Sequence, residues 1–310
     1  MSSFFTTAIL TATVASGIQL AAPFLLASLG ETLGQRSGVL NLGVDGIMLL
    51  GAFAGYYVAL HTHDLLLAVV VAIAVGAALG LATAFISVTL RAEQGISGIG
   101  VYLFALGVTS LLFLKLVGTP LPVNKPRDLH VPLLHRLPAV GHTLFTQNVL
   151  VYLAFVLVPV LAFVLNRTTY GMNVKAAGEN PAAADSLGVS VARTRYIAVI
   201  AGSSLAGLAG ATLLFDVGIF QQNLTQSEGF IAVALVYFGA WRPIGVLLGS
   251  LLYGMTQAIV LSWKGLGIIP VSLSDLAAAA PAVITVLALL TIARRFRQPA
   301  ALGTPYTRGG

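Results

Sequence analysis

Residues Leu65–Leu90 read LLLAVVVAIAVGAALGLATAFISVTL, an uninterrupted run without a charged side chain, bounded by Asp64 on one side and Arg91 on the other. As a helix this run is about 39 Å long at 1.5 Å per residue, enough to cross a hydrocarbon core of roughly 30 Å. Backbone polar groups in hydrocarbon must be satisfied internally, so such a run reads as a membrane helix. Eight further runs follow the same pattern: Phe4–Leu29, Val39–Leu60, Gly95–Gly118, Asn148–Leu165, Tyr196–Phe215, Gly229–Trp241, Ile244–Trp263 and Leu276–Ala293. The run Gly229–Trp241 is short and shares a turn, Arg242-Pro243, with the next.

Composition agrees. Of 310 residues 57% are hydrophobic and only 8% charged, with mean hydropathy +0.95; soluble domains carry about 25% charge. This excludes a soluble enzyme, a disordered chain and a nucleic-acid binder. The formal +6 and isoelectric point near 9.8 reflect cations placed around a membrane. The chain has no cysteine, hence no disulfide framework, thiolate metal site or thiol nucleophile. Met1–Leu29 contains no Lys or Arg, so the first run lacks the cationic start of a secretory signal and reads as a first transmembrane helix. The chain is a single all-α polytopic membrane domain, 1–310, with about nine transmembrane helices.

Cations between the runs set the orientation. With the loop 166–195 and the tail 294–310 on the cytoplasmic side, eleven cations fall inside (Arg36, Arg91, Arg167, Lys175, Arg193, Arg195, Arg242, Arg294, Arg295, Arg297, Arg308) and five outside (Lys115, Lys125, Arg127, Arg136, Lys264). Loops 61–64 and 216–228 have none. An odd number of spans then puts the N-terminus outside and the C-terminus inside; if Gly229–Trp241 does not cross, the far half inverts. Small residues four apart, Gly51/Gly55, Gly76/Gly80, Ala206/Gly210 and Gly245/Gly249, either mark close helix contacts or arise by chance in a glycine-rich chain.

Mid-span charge is almost absent. Asp45 is the one candidate, with Glu31, Arg36, Arg91 and Glu93 at span ends. This disfavours an ion-coupled carrier, and no Gly-Lys-Ser/Thr is present to cradle phosphate. If the protein pumps, another chain burns the fuel. His61-x-His63-Asp64 and the loop histidines His130, His135 and His142 read as solvated interface rather than metal ligands. The proline-rich loop 119–147 lies outside, as a partner surface or a cap over the bundle.

The cytoplasmic loop carries the strongest local signal. Asn180 N-caps a helix, Pro181 suits its first position, and Gly188 supplies a left-handed stop. The resulting two turns, Pro181 to Leu187, are marginal alone and must dock. The surface of Ala182, Ala183, Ala184 and Leu187 is small and apolar, with Glu179 and Asp185 at its ends, and no cation favours a lipid surface. A nucleotide-hydrolysing subunit is the partner this arrangement fits.

Gly178-Glu179-Asn180-Pro181-Ala-Ala-Ala-Asp185-Ser-Leu-Gly188-Val resembles the coupling segment of ATP-binding cassette (ABC) importer permeases of the branched-chain amino acid, simple-sugar and nucleoside group. Three further stretches are similar to the nucleoside branch: Glu31–Met48, Gln94-Gly-Ile-Ser97-Gly98-Ile99 through Thr109, and Gly229–Trp241. The resemblance implies a vitamin-B12-importer-like (type II) core less its first helix, in the bacterial cell (inner) membrane. It implies a dimer with a second permease subunit, a paralogue or itself. It implies an ABC ATPase subunit with two nucleotide-binding domains, which would bind the ATP, and an extracytoplasmic substrate-binding lipoprotein or periplasmic protein. No catalytic residue, metal or cofactor of the chain's own is implied, and no nucleic acid. Coupling to the ATPase would pass through Gly178, Glu179, Asn180, Pro181, Ala184, Asp185 and Gly188. Candidate pathway residues are Gln19, Asn41, Asp45, Gln94, Ser97, Tyr102 and Thr109, each alternatively a helix-packing hydrogen bond. Asp45 could equally pair with Arg36 at an inner gate. The pattern departs from the nucleoside branch at Tyr102, where that branch has Asn, and at Arg242, where Asn precedes Pro. Expected cargo is a nucleoside. Simple sugars or branched-chain amino acids are the alternative within the class, and a passive channel or facilitator the alternative outside it.

Overall fold

Fourteen α-helical and β segments follow one another in the computed structural model, which describes residues 7–130, 146–292 and 297–307. They are α1 (Thr7–Arg36), α2 (Val44–Thr62), α3 (Leu65–Ala84, continued by a π-turn, Phe85–Thr89), α4 (Gln94–Leu116), β1 (Asp128–His130), β2 (Thr146–Asn148), α5 (Val149–Arg167), α6 (Thr169–Glu179), α7 (Pro181–Ser186), α8 (Val191–Val217), α9 (Glu228–Phe238), α10 (Pro243–Gly265), and, after a 3₁₀ turn (Val271–Leu273), α11 (Ser274–Ala278) and α12 (Ala280–Ile292). Among the described residues eight stretches are long and apolar enough to cross a membrane, and α9 is a shorter apolar helix. The segment between α4 and α5 adds an antiparallel ribbon, Asp128 opposite Asn148, to a chain whose described residues are otherwise mainly helical. His135, His142, Arg136, Arg294, Arg295 and Arg308 lie outside the described residues.

Polar side chains punctuate the apolar runs. Asp64 accepts from the Leu66 and Leu67 amides and starts α3. Glu93 accepts from Gly95 and Ile96 and starts α4; those bonds hold its carboxyl below the usual range. His61 bonds through Nδ1 to the Tyr57 carbonyl. The His61–Asp64 cluster therefore serves helix ends.

α8 is the central helix and packs on α1, α2 and α3. The approach is backbone to backbone. A Cβ on Gly202 would lie 2.4 Å from the Gly30 carbonyl oxygen, one on Gly76 2.4 Å from the Ser203 oxygen, and one on Gly210 1.9 Å from the Met48 oxygen. Gly51 meets Gly207, Gly55 meets Ala68, Gly245 meets Gly239, and Gly249 meets the Phe238 ring. Ala206 is fully buried. All four small-residue pairs therefore lie at contacts, as association in lipid requires.

Three run boundaries are corrected, one of them the run expected as Tyr196–Phe215, which starts five residues early at Val191 and takes Arg193 and Arg195 out of the loop 166–195 into α8. The first helix continues through Glu31 and Gln35 to Arg36, so Glu31 is a buried residue inside α1, 4% exposed, rather than a span-end charge. The second run starts five residues late, at Val44, because residues 39–43 are non-helical. Gly38 turns the chain at φ +93°, the Leu40 amide donates to Gln94 Oε1 at 2.7 Å, and the Gly43 amide donates to Asn41 Oδ1 at 2.9 Å.

Gly202→Ala should therefore lower the melting temperature of the purified chain, since overpacking costs about 1–3 kcal/mol. Gly107→Ala, whose Cβ meets nothing within 4 Å, should leave it unchanged or slightly raised. Equal melting temperatures for the two variants would contradict the close α1–α8 approach.

Candidate functional site

One face of the bundle is built from α6, α7 and residues 297–307. Thr168 caps α6 through the Gly171 amide at 3.1 Å, and Asn180 caps α7 through the Ala183 amide at 3.0 Å. Pro181 stands at the first helical position. Gly188, at φ +86°, ends the helix as its amide donates to the Asp185 carbonyl at 2.9 Å. Ala184 is buried with Ala177 and Val191 and packs near Tyr306; it faces the body of the protein, whereas Ala182, Ala183, Ser186 and Leu187 face out. Leu187 is 85% exposed, an apolar knob on a two-turn helix.

Residues 297–307, read from sequence only as a basic tail, fasten this helix to the bundle. The Ala301 amide donates to the Gly178 carbonyl at 2.8 Å and the Gly303 amide to the Gly38 carbonyl at 3.1 Å. The Ala300 amide donates to Glu179 Oε2 at 3.4 Å. Arg195, 1% exposed, donates from Nε to the Ser37 carbonyl at 3.1 Å and from Nη1 to the Thr304 carbonyl at 3.0 Å. Gly178 itself lies flat on the end of α1, where a Cβ would come within 2.1 Å of the Arg36 oxygen. The signal available in sequence was the punctuated, uncharged stretch Pro299–Pro305 and an arginine, Arg195, with no acid to pair with.

The second region surrounds α9, whose eleven residues rise about 16 Å, roughly half a bilayer core. Trp241, just past its end, donates from Nε1 to Gln35 Oε1 at 2.8 Å, and the Ala232 carbonyl accepts from Ser28 Oγ at 2.9 Å. Ser28 precedes Arg36 by about 12 Å of helix, so α9 begins about half-way along α1. Its start is held by Asp45, fully buried, which accepts from the Gly229 amide at 2.8 Å and from Thr225 Oγ1 at 3.1 Å. Asp45 is thus committed to α9 and not to Arg36, whose Nε donates to the Trp241 carbonyl at 3.0 Å.

Residues 218–227, within the stretch 216–228 expected as an outer loop, instead lead from the C-terminal end of α8 to Asp45 and the start of α9. Ile219 bridges Pro122 just past the end of α8, and Phe220 packs against Phe53, Tyr56 and Phe113 with centroids 5.4–5.5 Å apart. Asn223, Gln226 and Ser227 take left-handed conformations. Gln221, Gln222, Asn223, Gln226 and Ser227 are exposed. Non-helical backbone at such depth is tolerated where it lines a cavity or is buried in protein. Sequence reading missed these residues because a polar segment after an apolar run has the signature of a loop outside.

The remaining sequence-derived candidates fall into two groups. Asn41, Gln94 and Thr109 are buried; Asn41 and Gln94 bond the 39–43 backbone, while Gln94 Nε2 and Thr109 Oγ1 are buried without a partner. Gln19 donates to Asp216, Ser97 Oγ donates to the Gln94 carbonyl at 3.3 Å, and Tyr102 meets Phe230 edge-on at 5.4 Å; all three are partly exposed. Among the described residues no three histidine or acidic side chains are grouped to hold a metal ion.

Residues 13–292 match the family described as branched-chain amino acid transport system / permease component. The chain is 38% identical to the putative glucose ABC transporter permease protein TsgC13 of Haloferax volcanii, over 81% of this chain and 77% of that one. It is 32% identical to the guanosine ABC transporter permease protein NupQ of Bacillus subtilis, over 97% and 98%. It is 32% identical to the nucleoside ABC transporter permease protein NupC of Lactococcus lactis, over 95% and 96%. No solved structure matches.

Deleting residues 299–310 should unfasten this face. Several hydrogen bonds of about 1 kcal/mol each are lost, and the Arg195 guanidinium is left with the Ser37 carbonyl as its one named acceptor. The expected outcome is a lower melting temperature, with faster amide exchange over residues 176–191 and little change in α3 or α4. Unchanged exchange over 176–191 would show that the tail is not the fastening.

Proposed function

The chain belongs to the branched-chain amino acid transport system permease family, and from that premise we propose that it carries nucleosides across the cell membrane as the translocation subunit of an ABC importer. It is a multi-pass membrane protein and a transport subunit rather than an enzyme; family membership implies an ATPase and a binding protein as partners in general. The proposed assembly pairs two permease subunits, the second a paralogue or another copy, over an ATPase with two nucleotide-binding domains. A substrate-binding lipoprotein or periplasmic protein delivers cargo outside.

The observation that carries the coupling role is α7: a capped two-turn helix with an 85% exposed leucine at its end, too short to persist unless docked. Glu179, Asn180, Pro181 and Gly188 shape that helix, Gly178 and Ala184 seat it, and Asp185 stands near its end. Nine passes follow if residues 218–227 and α9 together make one broken crossing. The start of α1 is then outside, the 297–307 segment inside, and the core is of the vitamin-B12-importer (type II) kind. The pathway runs past Tyr102 and Phe230 and along Gln221–Ser227, with Gln19 and Ser97 beside it; Asn41, Asp45, Gln94 and Thr109 support it from behind. Weak polar and aromatic contacts suit a pore whose binding protein has already selected the cargo. A sugar cargo is the second reading, favoured by the likeness to the glucose permease protein.

Uptake by vesicles holding the chain with its ATPase and binding protein should be ATP-dependent and strongest for a nucleoside among labelled uridine, adenosine, ribose, glucose and leucine. Ala183→Pro, which removes the amide that Asn180 caps, and Glu179→Ala should reduce it to background without loss of the chain from the membrane. Uptake of a sugar in place of nucleosides would move the cargo and keep the importer. Equilibrating flux without ATP, indifferent to both variants, would establish a facilitator.

A further inference from the structure

A cavity of about 1080 Å³ opens at the cytoplasmic end of α1, between α5, α6 and the turn joining α9 to α10. Three cationic side chains line it, Arg36, Lys175 and Arg242, and none of its lining residues is acidic. Like charges gathered in one recess repel unless an anion joins them. Burial, and secondarily Arg36 beside it, pushes the Lys175 ammonium below the usual range. Lys175 Nζ donates to Asn166 Oδ1 at 2.7 Å, a neutral partner that leaves the charge uncompensated. Glu179 attracts Arg36 from outside the lining and accepts from the tail.

The recess also contains the N-terminus of a long helix. α10 begins at Pro243 with no side-chain cap and no acid in its first turn. The amides at its start have no intrahelical partner, and Ile244 and Gly245, the residues that carry them, line the cavity. A helix N-terminus flanked by cations attracts anions. The turn is preset for this role: Ala240 and Trp241 both hold left-handed conformations, and the Trp241 ring is tied to Gln35, which leaves Arg242 exposed at the rim.

The walls leading outward from these charges are apolar. Ile244 and Leu248 of α10 line it and are 63% and 59% exposed; Ala162 and Leu165 of α5 line it as well, and α5 and α10 are neighbours. None of the candidate pathway residues lines the cavity. Charge at the cytoplasmic end with an apolar cleft running into the membrane matches one amphiphile, a lipid with an anionic head.

We propose that this cavity binds an anionic phospholipid of the cytoplasmic leaflet, with the phosphate among Lys175, Arg242, Arg36 and the start of α10, and the acyl chains in the cleft between α5 and α10. Of the functional reading, the proposal needs only the assignment of this end to the cytoplasmic side. Basic recesses between membrane helices on that side are the expected seats of such headgroups.

The test uses the full chain purified in detergent and measures retention of phosphatidylglycerol against phosphatidylcholine of identical acyl chains by native mass spectrometry. Uptake plays no part in the readout, so failure here is distinct from failure of the transport reading. Phosphatidylglycerol should be retained preferentially. Lys175→Gln and Arg242→Gln should each weaken it roughly fivefold, while Lys175→Arg restores it. Arg193→Gln, which removes a cation from the same face outside the cavity, should change nothing. Variants are compared at matched elution profile and melting temperature, and the Lys175→Arg rescue separates charge from fold. Equal retention of the two lipids, or an Arg193→Gln effect as large as that of Lys175→Gln, overturns the proposal. Displacement of phosphatidylglycerol by millimolar inorganic phosphate alone also overturns it, because the site would then hold a free anion and not a lipid.

Discussion

A backbone amide inside hydrocarbon has no water to bond, and at several breaks in this chain's helices a buried or half-buried side chain takes the place of that water. Residues 39–43 are served by Gln94 and Asn41. The start of α9 is served by Asp45 and the turn after it by Arg36, which binds the Trp241 carbonyl. The junction of α1 with the tail is served by Arg195. Each unsatisfied group there would cost several kcal/mol. In a chain with 8% charge, these buried polar residues therefore stand where helices break.

The same constraint explains how much was legible in the sequence. The apolar runs gave the helices because length and hydropathy suffice for a continuous span, and the Asn180-Pro181…Gly188 punctuation gave α7 because caps are local. Breaks are different: Val39–Leu42 and Gly218–Leu224 become non-helical through partners more than fifty residues away. Hydropathy extends a helix through the first and assigns the second to solvent. Asp45 shows the limit at one residue. Its isolation in an apolar run marks it as consequential, yet only the fold decides between Arg36, nearby in sequence, and Gly229, nearby in space. Ala184 is a milder case, apolar on a small helix with two apolar faces, and packing alone determines which face turns inward.

Close packing gives these breaks a rigid frame. α8 meets α1, α2 and α3 through Gly202, Gly207 and Gly210, with backbones in direct contact. Such interfaces hold no layer of adaptable side chains, so neighbouring helices move together or separate altogether. Glycines at three successive levels of one helix thus make α1, α2, α3 and α8 a single mechanical body.

The tail then determines what that body is attached to. Gly178, at the end of α6, bonds Ala301; Gly303 bonds Gly38 beyond α1; Thr304 accepts from Arg195 of α8. A force applied to α7 has routes to α1 and α8 through these bonds, through the contact of Gly178 with Arg36 and through the packing of Ala184 on Val191, besides the covalent path of residues 187–190. On the proposed reading, where an ATPase pushes on the exposed face of α7, a flexible link there would dissipate the motion. A fastened one delivers it to α1, whose side chains Ser28 and Gln35 bond α9 and the turn beyond it. The half-length helix is therefore the first element that the frame can displace. It is also the one whose upper end, at Asp45 and Glu228, opens onto the exposed polar stretch Gln221–Ser227.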